Sequence, residues 1–405
     1  MKIAIIHPHI FAGGAEKAIV HLAYQLNRLG HEATVCTLST RLDELPSIAA
    51  NIEYVTPAKP VHLPKLEGTM SALRSVVSEA NALKELAKAS LDDCDLLAPC
   101  NFPAYWSTHG LNGSKPVVWI SSEVFGPYNA SRDIHDRSML FRSAVKGAAM
   151  LDRYVVRKSV DEIVTCSKLN RELIKERYGL DAAVIPTGVD YEFFSDDCSG
   201  AKEQLGLEDN YVLLHVGALV KRKNQMLSIR ALQRLKSRIP TVKLILVGEG
   251  PWDSSLRSEA SELGLEGDVV FAGRVSEERL RLLYHACDVN LYPVEDQTYG
   301  LVPLEAFAAG KPSLVSQQSG AGLMMAEEGL GYLIQPDLES IVDGVFRLQD
   351  GRERDVRELV ERGRSYVRNL SWDRYAGRIV QLFENTVQVS AVTARRDMRR
   401  SSASN

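Results

Sequence analysis

Short apolar runs alternate with longer stretches of helical periodicity along the chain. Lys2–His7 is an apolar run of the kind a strand buried on both faces requires. Ala15–Leu29 follows, with Ile19, Leu22, Ala23, Leu26 and Leu29 at helical spacing and Gly30 as a stop. Ala33–Leu38, Ile52–Thr56, Leu96–Pro99, Val117–Ser121, Glu162–Thr165 and Ala183–Pro186 read as further strands. Leu66–Ala89, Ser138–Lys158 and Lys168–Tyr178 read as helices between them. Parallel strands need such crossovers, so this half predicts a doubly wound α/β domain.

The pattern thins from Thr187 to Ala201, where Gly, Asp and Ser collect, and then resumes. The second series has strands at Tyr211–Val216, Val242–Val247, Val269–Phe271, Val289–Tyr292, Ser313–Val315 and Gly331–Ile334. Helices at Gln225–Leu235, Glu277–His285 and Leu304–Ala309 intervene, and a last one begins at Trp372 with Tyr375, Ile379, Leu382 and Phe383 on one side. The expected organisation is a Rossmann-like domain over 1–188, a linker over 189–201 and a second such domain over 202–371. The closing helix, 372–388, is expected to pack back on the first domain, and the basic tail 391–405, without an apolar face, to be disordered. Two such domains imply a central cleft, with the loops after the strands facing it.

Length and composition agree with this. The 405 residues are 45% hydrophobic and 25% charged, with a net charge of −4. Such a chain is a multidomain globular protein and not a general nucleic-acid binder. The opening apolar run is too short for a secretory signal, and no apolar stretch is long enough to span a membrane. None of the six cysteines forms a C-x-x-C pair. Reduced thiols and a cytoplasmic location are expected. The helix over 138–158 carries Arg142, Lys146, Arg153, Arg157 and Lys158 beside Met139, Leu140, Val145, Met150 and Leu151, with Arg137 just before it. It reads first as a domain helix with a solvated charged face; peripheral contact with an anionic bilayer at the inner face of the cytoplasmic membrane is the alternative.

The candidate chemistry sits in loops that follow strands. Gly13 and Gly14, before the first helix, let backbone amides approach an anion, although neither a G-x-G-x-x-G nor a Walker pattern is present. Gly217 opens a loop that runs through Lys221, Arg222 and Lys223, a charge suited to a diphosphate. Val247–Pro251, with Gly250, and Ala272–Val275, with Arg274, follow their own strands. Tyr292–Ala306 is the most informative: Gly300, Leu301 and Val302 begin a helix with amides suited to phosphate oxygens. Glu305, one turn in, needs a partner, either vicinal hydroxyls or a salt bridge.

In these residues the chain resembles glycosyltransferase family 4 of the GT-B fold nearly end to end. The resemblance rests on Gly13–Glu16, Val184–Asp190, Val216–Asn224, Val247–Pro251, Phe271–Val275, Gly300–Ala306 and Ser371-Trp372, in this order. It implies retaining transfer of a sugar from a nucleotide-sugar donor to a glycan or lipid-linked acceptor, in surface polysaccharide or glycolipid synthesis. By that resemblance Glu305 binds the donor ribose and Lys223 the diphosphate. The amides of Leu301 and Val302, with Gly14 across the cleft, hold phosphate oxygens, and Gly250, Arg274 and Val275 flank the nucleoside. The donor is a substrate, so no cofactor, no metal and no nucleic-acid partner are expected.

Three departures qualify the resemblance. Gln297, eight before Glu305, stands where the family has its first Glu. Ala218 replaces a common Arg, and Arg222 is the candidate replacement cation. Ser122 or Glu123 occupies the place of a frequent His; with Glu16 and His109 they are the acceptor-side candidates, His109 being the one whose structural reading is stronger. A non-catalytic sugar-nucleotide-binding protein and a GT-B epimerase are the competing readings. Donor turnover separates them: transfer or hydrolysis, epimer formation, or binding alone.

Overall fold

The computed structural model describes residues 1–11, 13–59, 69–111, 115–124 and 139–402, with the backbone alone for 44, 69–73, 139–142, 144, 353 and 393–402. The chain divides into two compact units, Met1–Gly188 with Trp372–Asn405, and Val189–Ser371. The first unit runs β1 (Lys2–Ile6), β2 (His9–Ile10), α1 (Gly14–Arg28), β3 (Glu32–Cys36), β4 (Ser39–Thr40), β5 (Glu53–Val55), α2 (Thr69–Ala89), β6 (Leu96–Pro99), α3 (Ala104–Ser107), β7 (Val118–Ser121), α4 (Met139–Ser159), β8 (Glu162–Thr165), α5 (Lys168–Tyr178) and β9 (Ala183–Val184). Its parallel strands are ordered β5-β3-β1-β6 and β7-β8-β9, and parallel bridges at Leu97–Val117 and Cys100–Ile120 join the two sets. The order reverses at β1, with β3 on one side and β6 on the other, as in a doubly wound sheet.

The second unit begins with α6 (Tyr191–Ser195) and α7 (Ala201–Leu205). It continues β10 (Tyr211–Val216), α8 (Gln225–Leu235), β11 (Val242–Val247), α9 (Asp253–Glu262), β12 (Val269–Gly273), α10 (Glu277–Ala286), β13 (Val289–Tyr292), α11 (Val302–Ala308), β14 (Ser313–Ser316), α12 (Gly320–Glu327), β15 (Tyr332–Ile334), α13 (Leu338–Asp350) and α14 (Glu353–Arg368). Its parallel sheet has the order β12-β11-β10-β13-β14-β15, so the switch point lies between β10 and β13. Buried Asn290 ties the switch together: its amide donates to Leu214 O at 3.2 Å and its Oδ1 accepts from Ser313 Oγ at 2.7 Å. The strands are nearly continuous apolar runs because helices cover both faces; Leu213, Leu244, Leu246, Leu291 and Leu314 are all buried with Ile229, Leu232 and Ile341 of the helices.

The last helix, α15 (Trp372–Ser402), returns to the first unit. Trp372, Tyr375, Ile379 and Phe383 share one buried cluster with Ile19, Leu22 and Leu26 of α1. Each large side chain buried this fully contributes about 1.5–3 kcal/mol. The indole of Trp372 also stacks on His21, with centroids 4.3 Å apart and planes at 7°.

Two expectations are corrected. Residues 189–201 are not a bare linker: α6 lies there with Tyr191 and Phe194 buried, and Asp190 caps it by accepting from Phe193 N at 3.4 Å. Polar residues that look like linker composition serve here as helix caps. The tail is not structureless either, because α15 continues through Ser402; Ala, Arg and Met propagate a helix that is already nucleated. Of the remaining readings, residues 66–68 and 403–405, Arg137, and the side chains of Met139, Leu140 and Arg142 lie outside the described residues.

Candidate functional site

In the second unit the loops after β10 and β13 meet at the switch point. The chain leaves β10 through Gly217 and enters a tight turn over Lys221–Lys223. Asn224 closes the turn in the left-handed region, at φ 59°. Its Nδ2 donates to Pro293 O and to Glu295 Oε2, both at 2.9 Å, and Glu295 N donates to Arg222 O at 3.0 Å. The basic turn is thereby stitched to the loop after β13.

Lys223 is buried, at 8% exposure. Its Nζ donates to Gln297 Oε1 and lies 5.6 Å from the centre of the Tyr292 ring. Gln297 is held on its other side by Gly320 N, which donates to Gln297 O at 2.7 Å. The Glu295 carboxylate is engaged by Asn224, while Asp296 is exposed. Beneath the turn, His215 is pushed down to about 3, by burial first and by the Lys223 charge second, and stays neutral.

The loop after β13 then passes Gly300 and enters α11. A Cβ at Gly300 would come within 2.4 Å of the Tyr292 hydroxyl, so only glycine lets the chain run this close to the end of β13. Leu301 caps α11 and Pro303 sits in its first turn, as suits a ring that lacks an N–H. Glu305 lies one turn in and is 6% exposed. Its Oε2 accepts from the Tyr284 hydroxyl of α10 at 2.8 Å. Burial first, and then the Glu305 charge, holds the Tyr284 phenol well above its ordinary range, so it stays a proton donor.

The remaining second-unit candidates stand beside this pair of loops. A Cβ at Gly250 would come within 2.4 Å of Leu219 O, which packs the loop after β11 against the loop after β10. Arg274, exposed after β12, pairs with Glu249 at 3.4 Å, and Val275 beside it is half-buried. Sequence reasoning named Lys223, Gln297 and Glu305 but missed Tyr284 and Tyr292, whose roles are set by distant partners.

In the first unit, Gly13 precedes α1 in extended backbone and the Glu16 carboxylate folds back onto it: a Cβ at Gly13 would come within 2.1 Å of Glu16 Oε2. Burial pushes the Glu16 carboxyl up. Gly14 is exposed, with open space where a Cβ would be. Ser122 N donates to Asn101 Oδ1 at 2.8 Å, and Ser122 lines a small cavity with Ala15, Ala18 and Ile19 of α1 and with Cys100 and Cys166. Half-buried Glu123 follows it. His109 is not among the residues lining that cavity; its Nδ1 lies 2.8 Å from Ser159 Oγ and its carbonyl accepts from Lys84. A cluster that the sequence did not disclose lies after β1: His9 stacks on Phe11 at 5.4 Å, Arg41 lies 5.0 Å over the same ring, and His9 Nε2 is 3.2 Å from Glu79.

Comparison with known proteins places these loops in a family. Residues 12–193 match the model of Glycosyltransferase Family 4, and residues 200–366 match that of Glycosyl transferases group 1. The chain is 29% identical over 235 residues to a GDP-mannose-dependent alpha-(1-6)-phosphatidylinositol monomannoside mannosyltransferase of Mycolicibacterium smegmatis, a match spanning 55% of this chain and 62% of that one. It is 25% identical over 405 residues to a D-inositol 3-phosphate glycosyltransferase of Acidothermus cellulolyticus, covering 93% of this chain and 86% of the relative. Anabaena HepE, solved in complex with UDP-glucose, superposes with a TM-score of 0.76 at 18% identity, over 95% of this chain and 100% of HepE. That likeness shows the fold, which is GT-B. With both family models met in order along almost all of its length, the chain belongs to glycosyltransferase family 4.

Proposed function

We propose that the protein is a retaining glycosyltransferase that moves a hexose from a nucleotide-sugar donor to a glycan or lipid-linked acceptor in the synthesis of a surface polysaccharide or glycolipid. The observation that carries this reading is that, at the β10–β13 switch point, the turn bearing the buried Lys223 is hydrogen-bonded to the loop that leads into α11 and its buried carboxylate, Glu305. Glycosyl transfer is limited by departure of an anionic diphosphate from an oxocarbenium-like centre, and a fixed cation and oriented amides at the developing charge supply the largest stabilising contribution. In this reading Lys223, with Arg222 beside it, meets the diphosphate. The amides of Gly300, Leu301 and Val302 meet phosphate oxygens, Glu305 accepts from the ribose hydroxyls, and Gln297 faces the sugar. Gly217, Gly250, Arg274 and Val275 border the nucleoside.

Retention follows from the family resemblance. The relative from M. smegmatis bears GDP-mannose in its name and the solved HepE holds UDP-glucose, which makes these two donors the first to try. The donor is consumed as a substrate, and the reading requires no resident cofactor. The test is incubation of the purified chain with a panel of UDP- and GDP-hexoses, with release of the nucleoside diphosphate followed and the anomeric configuration of the product read by NMR. Transfer or slow hydrolysis with retention supports the proposal. Epimer formation, or binding without turnover, overturns it.

For the acceptor we assign the first unit, where Ser122, Glu123, Glu16 and the His9–Phe11–Glu79 cluster present polar groups near strand ends. The outward face of α4 bears on where that acceptor is met. Met150, Leu151 and Tyr154 are exposed there, with Lys146, Arg153, Arg157 and Lys158 around them, while Asp152 of the same helix is buried. We assign this face to an anionic bilayer, reversing the preference that charge alone suggests. Among the described residues no helix is long and apolar enough to cross a membrane, so the contact proposed is peripheral, at the cytoplasmic face. Co-sedimentation with phosphatidylglycerol vesicles that is lost on Met150→Ser/Tyr154→Ser supports it; unchanged sedimentation of that variant contradicts it.

A further inference from the structure

We infer that Tyr284 is a positioning residue that aims the Glu305 carboxylate at the ribose, and that Phe194, in the stretch whose composition suggests a linker, holds Tyr284 in place. The inference rests on the proposed role of Glu305 and goes beyond it, because neither tyrosine nor phenylalanine belongs to the loops that carry the family resemblance.

A carboxylate on the first turn of a short helix rotates freely unless something fixes its plane. Here the Tyr284 hydroxyl donates to Glu305 Oε2 at 2.8 Å, and a longer contact of 3.4 Å runs from the same hydroxyl to Val302 O in the backbone of α11. Tyr284 therefore grips both the side chain and the helix that carries it. Tyr284 itself is fully buried, and its ring meets the Phe194 ring edge to face, with centroids 5.6 Å apart and planes at 88°. Phe194 is fully buried as well, and its carbonyl lies 2.9 Å from His285 Nε2, the residue next to Tyr284. Thus α6 braces α10 through two neighbouring positions, and α10 in turn fixes Glu305 of α11.

An ionised carboxylate has about four lone-pair sites. A hydroxyl donor on one of them sets the plane of the group, and with it the directions from which the two donors of a vicinal diol approach. The phenol cannot compete as an anion, since burial and the carboxylate keep it protonated. What Tyr284 confers is therefore discrimination: a fixed carboxylate separates a ribonucleotide from its deoxy counterpart more sharply than a mobile one.

The experiment measures binding of UDP and GDP and of their 2′-deoxy forms to the full chain by calorimetry, in wild type, Tyr284→Phe and Glu305→Gln. Tyr284→Phe keeps the ring and removes only the hydroxyl, and a thermal melt confirms that each variant is folded. A charge-assisted hydrogen bond carries a ratio of about tenfold or more. The wild type is expected to prefer the ribonucleotide by at least that ratio, and both variants are expected to lose most of it through weaker ribonucleotide binding, with deoxynucleotide affinity nearly unchanged. Loss in Glu305→Gln alone overturns the role of Tyr284 and leaves the ribose reading standing. A ratio unchanged in Glu305→Gln overturns the ribose reading and this inference with it. If Tyr284→Phe does not fold, Phe194→Leu takes its place: a reduced ratio supports the brace, and an unchanged ratio refutes it.

Discussion

Replacing Lys223 with alanine tests the electrostatics of the proposed site. Lys223 is 8% exposed, so water screens its ammonium poorly. A unit charge 4 Å away interacts with it by about 4 kcal/mol at the effective dielectric of a protein site. The leaving diphosphate oxygen gains between about half and all of a unit charge on the way to the transition state. The differential stabilisation is then about 2–4 kcal/mol, or roughly 30- to 1000-fold in rate. The stem lies along the loop, with its Cδ and Cε 3.6 Å from where a Cβ at Gly217 would sit, so truncation removes some packing as well as the charge. The assay is kcat and KM for the accepted donor with purified wild type and Lys223→Ala, and melting temperature as the control for folding. Most of the loss should fall on kcat, since charge develops in the transition state; a rise in KM alone would mean uniform binding of donor and transition state. A folded variant whose kcat stays within about threefold of wild type would place Lys223 away from the leaving group, where a cation is worth far more than that.

Gln297 tests the sugar side: an amide donates and accepts, whereas an ionised carboxylate only accepts. Gln297→Glu should change the ranking of donors by kcat/KM and Gln297→Ala should lower turnover with all of them; identical rankings in all three proteins would remove Gln297 from the sugar. The buried histidines give a pH dependence. Burial pushes His7 down to about 4 and His21 to about 3, so both are neutral in the folded first unit. A depressed histidine contributes stability that is whole above its unfolded value near 6.5 and is lost as pH falls toward the folded value. The first unit should therefore lose about 1.4 kcal/mol per histidine for each pH unit below 6.5, seen in denaturant unfolding between pH 7 and pH 5; stability that is flat across that window contradicts the burial argument.

What the sequence disclosed and what it hid have different physical origins. Strands buried on both faces announce themselves, and β10, β11 and β13 occupy the residues their apolar runs predict. Because the site candidates were loops that follow such strands, Lys223, Gly300 and Glu305 could be named in advance; Gln297 was singled out by the family resemblance alone, and the structure brings Lys223 and Gln297 into contact. Helix α12 was not legible: Gly320 and Gly322 have poor helical propensity, yet Ser319 caps the helix by accepting from Gly322 N at 3.0 Å. Tyr284 could not be paired with Glu305 because the partners are joined by tertiary packing alone, with no spacing rule to connect α10 to α11. The same holds for α6, where Gly188, Asp190, Asp196 and Asp197 on either side conceal a short helix with Tyr191 and Phe194 buried. His109 shows the reverse case: a histidine that chemistry makes conspicuous is held by Ser159 and Lys84.

The second unit is proposed to hold the nucleotide sugar at the β10–β13 switch point, and amide hydrogen exchange of the full chain, with and without a saturating nucleotide sugar, reads that placement segment by segment. Protection should concentrate in two segments, Gly217–Asn224 and the loop from Pro293 into the first turn of α11 at Glu305, and should be lost in Lys223→Ala/Glu305→Ala. Protection in the second unit that spares both segments, or that persists undiminished in the double variant, would rule out the switch point as the donor site.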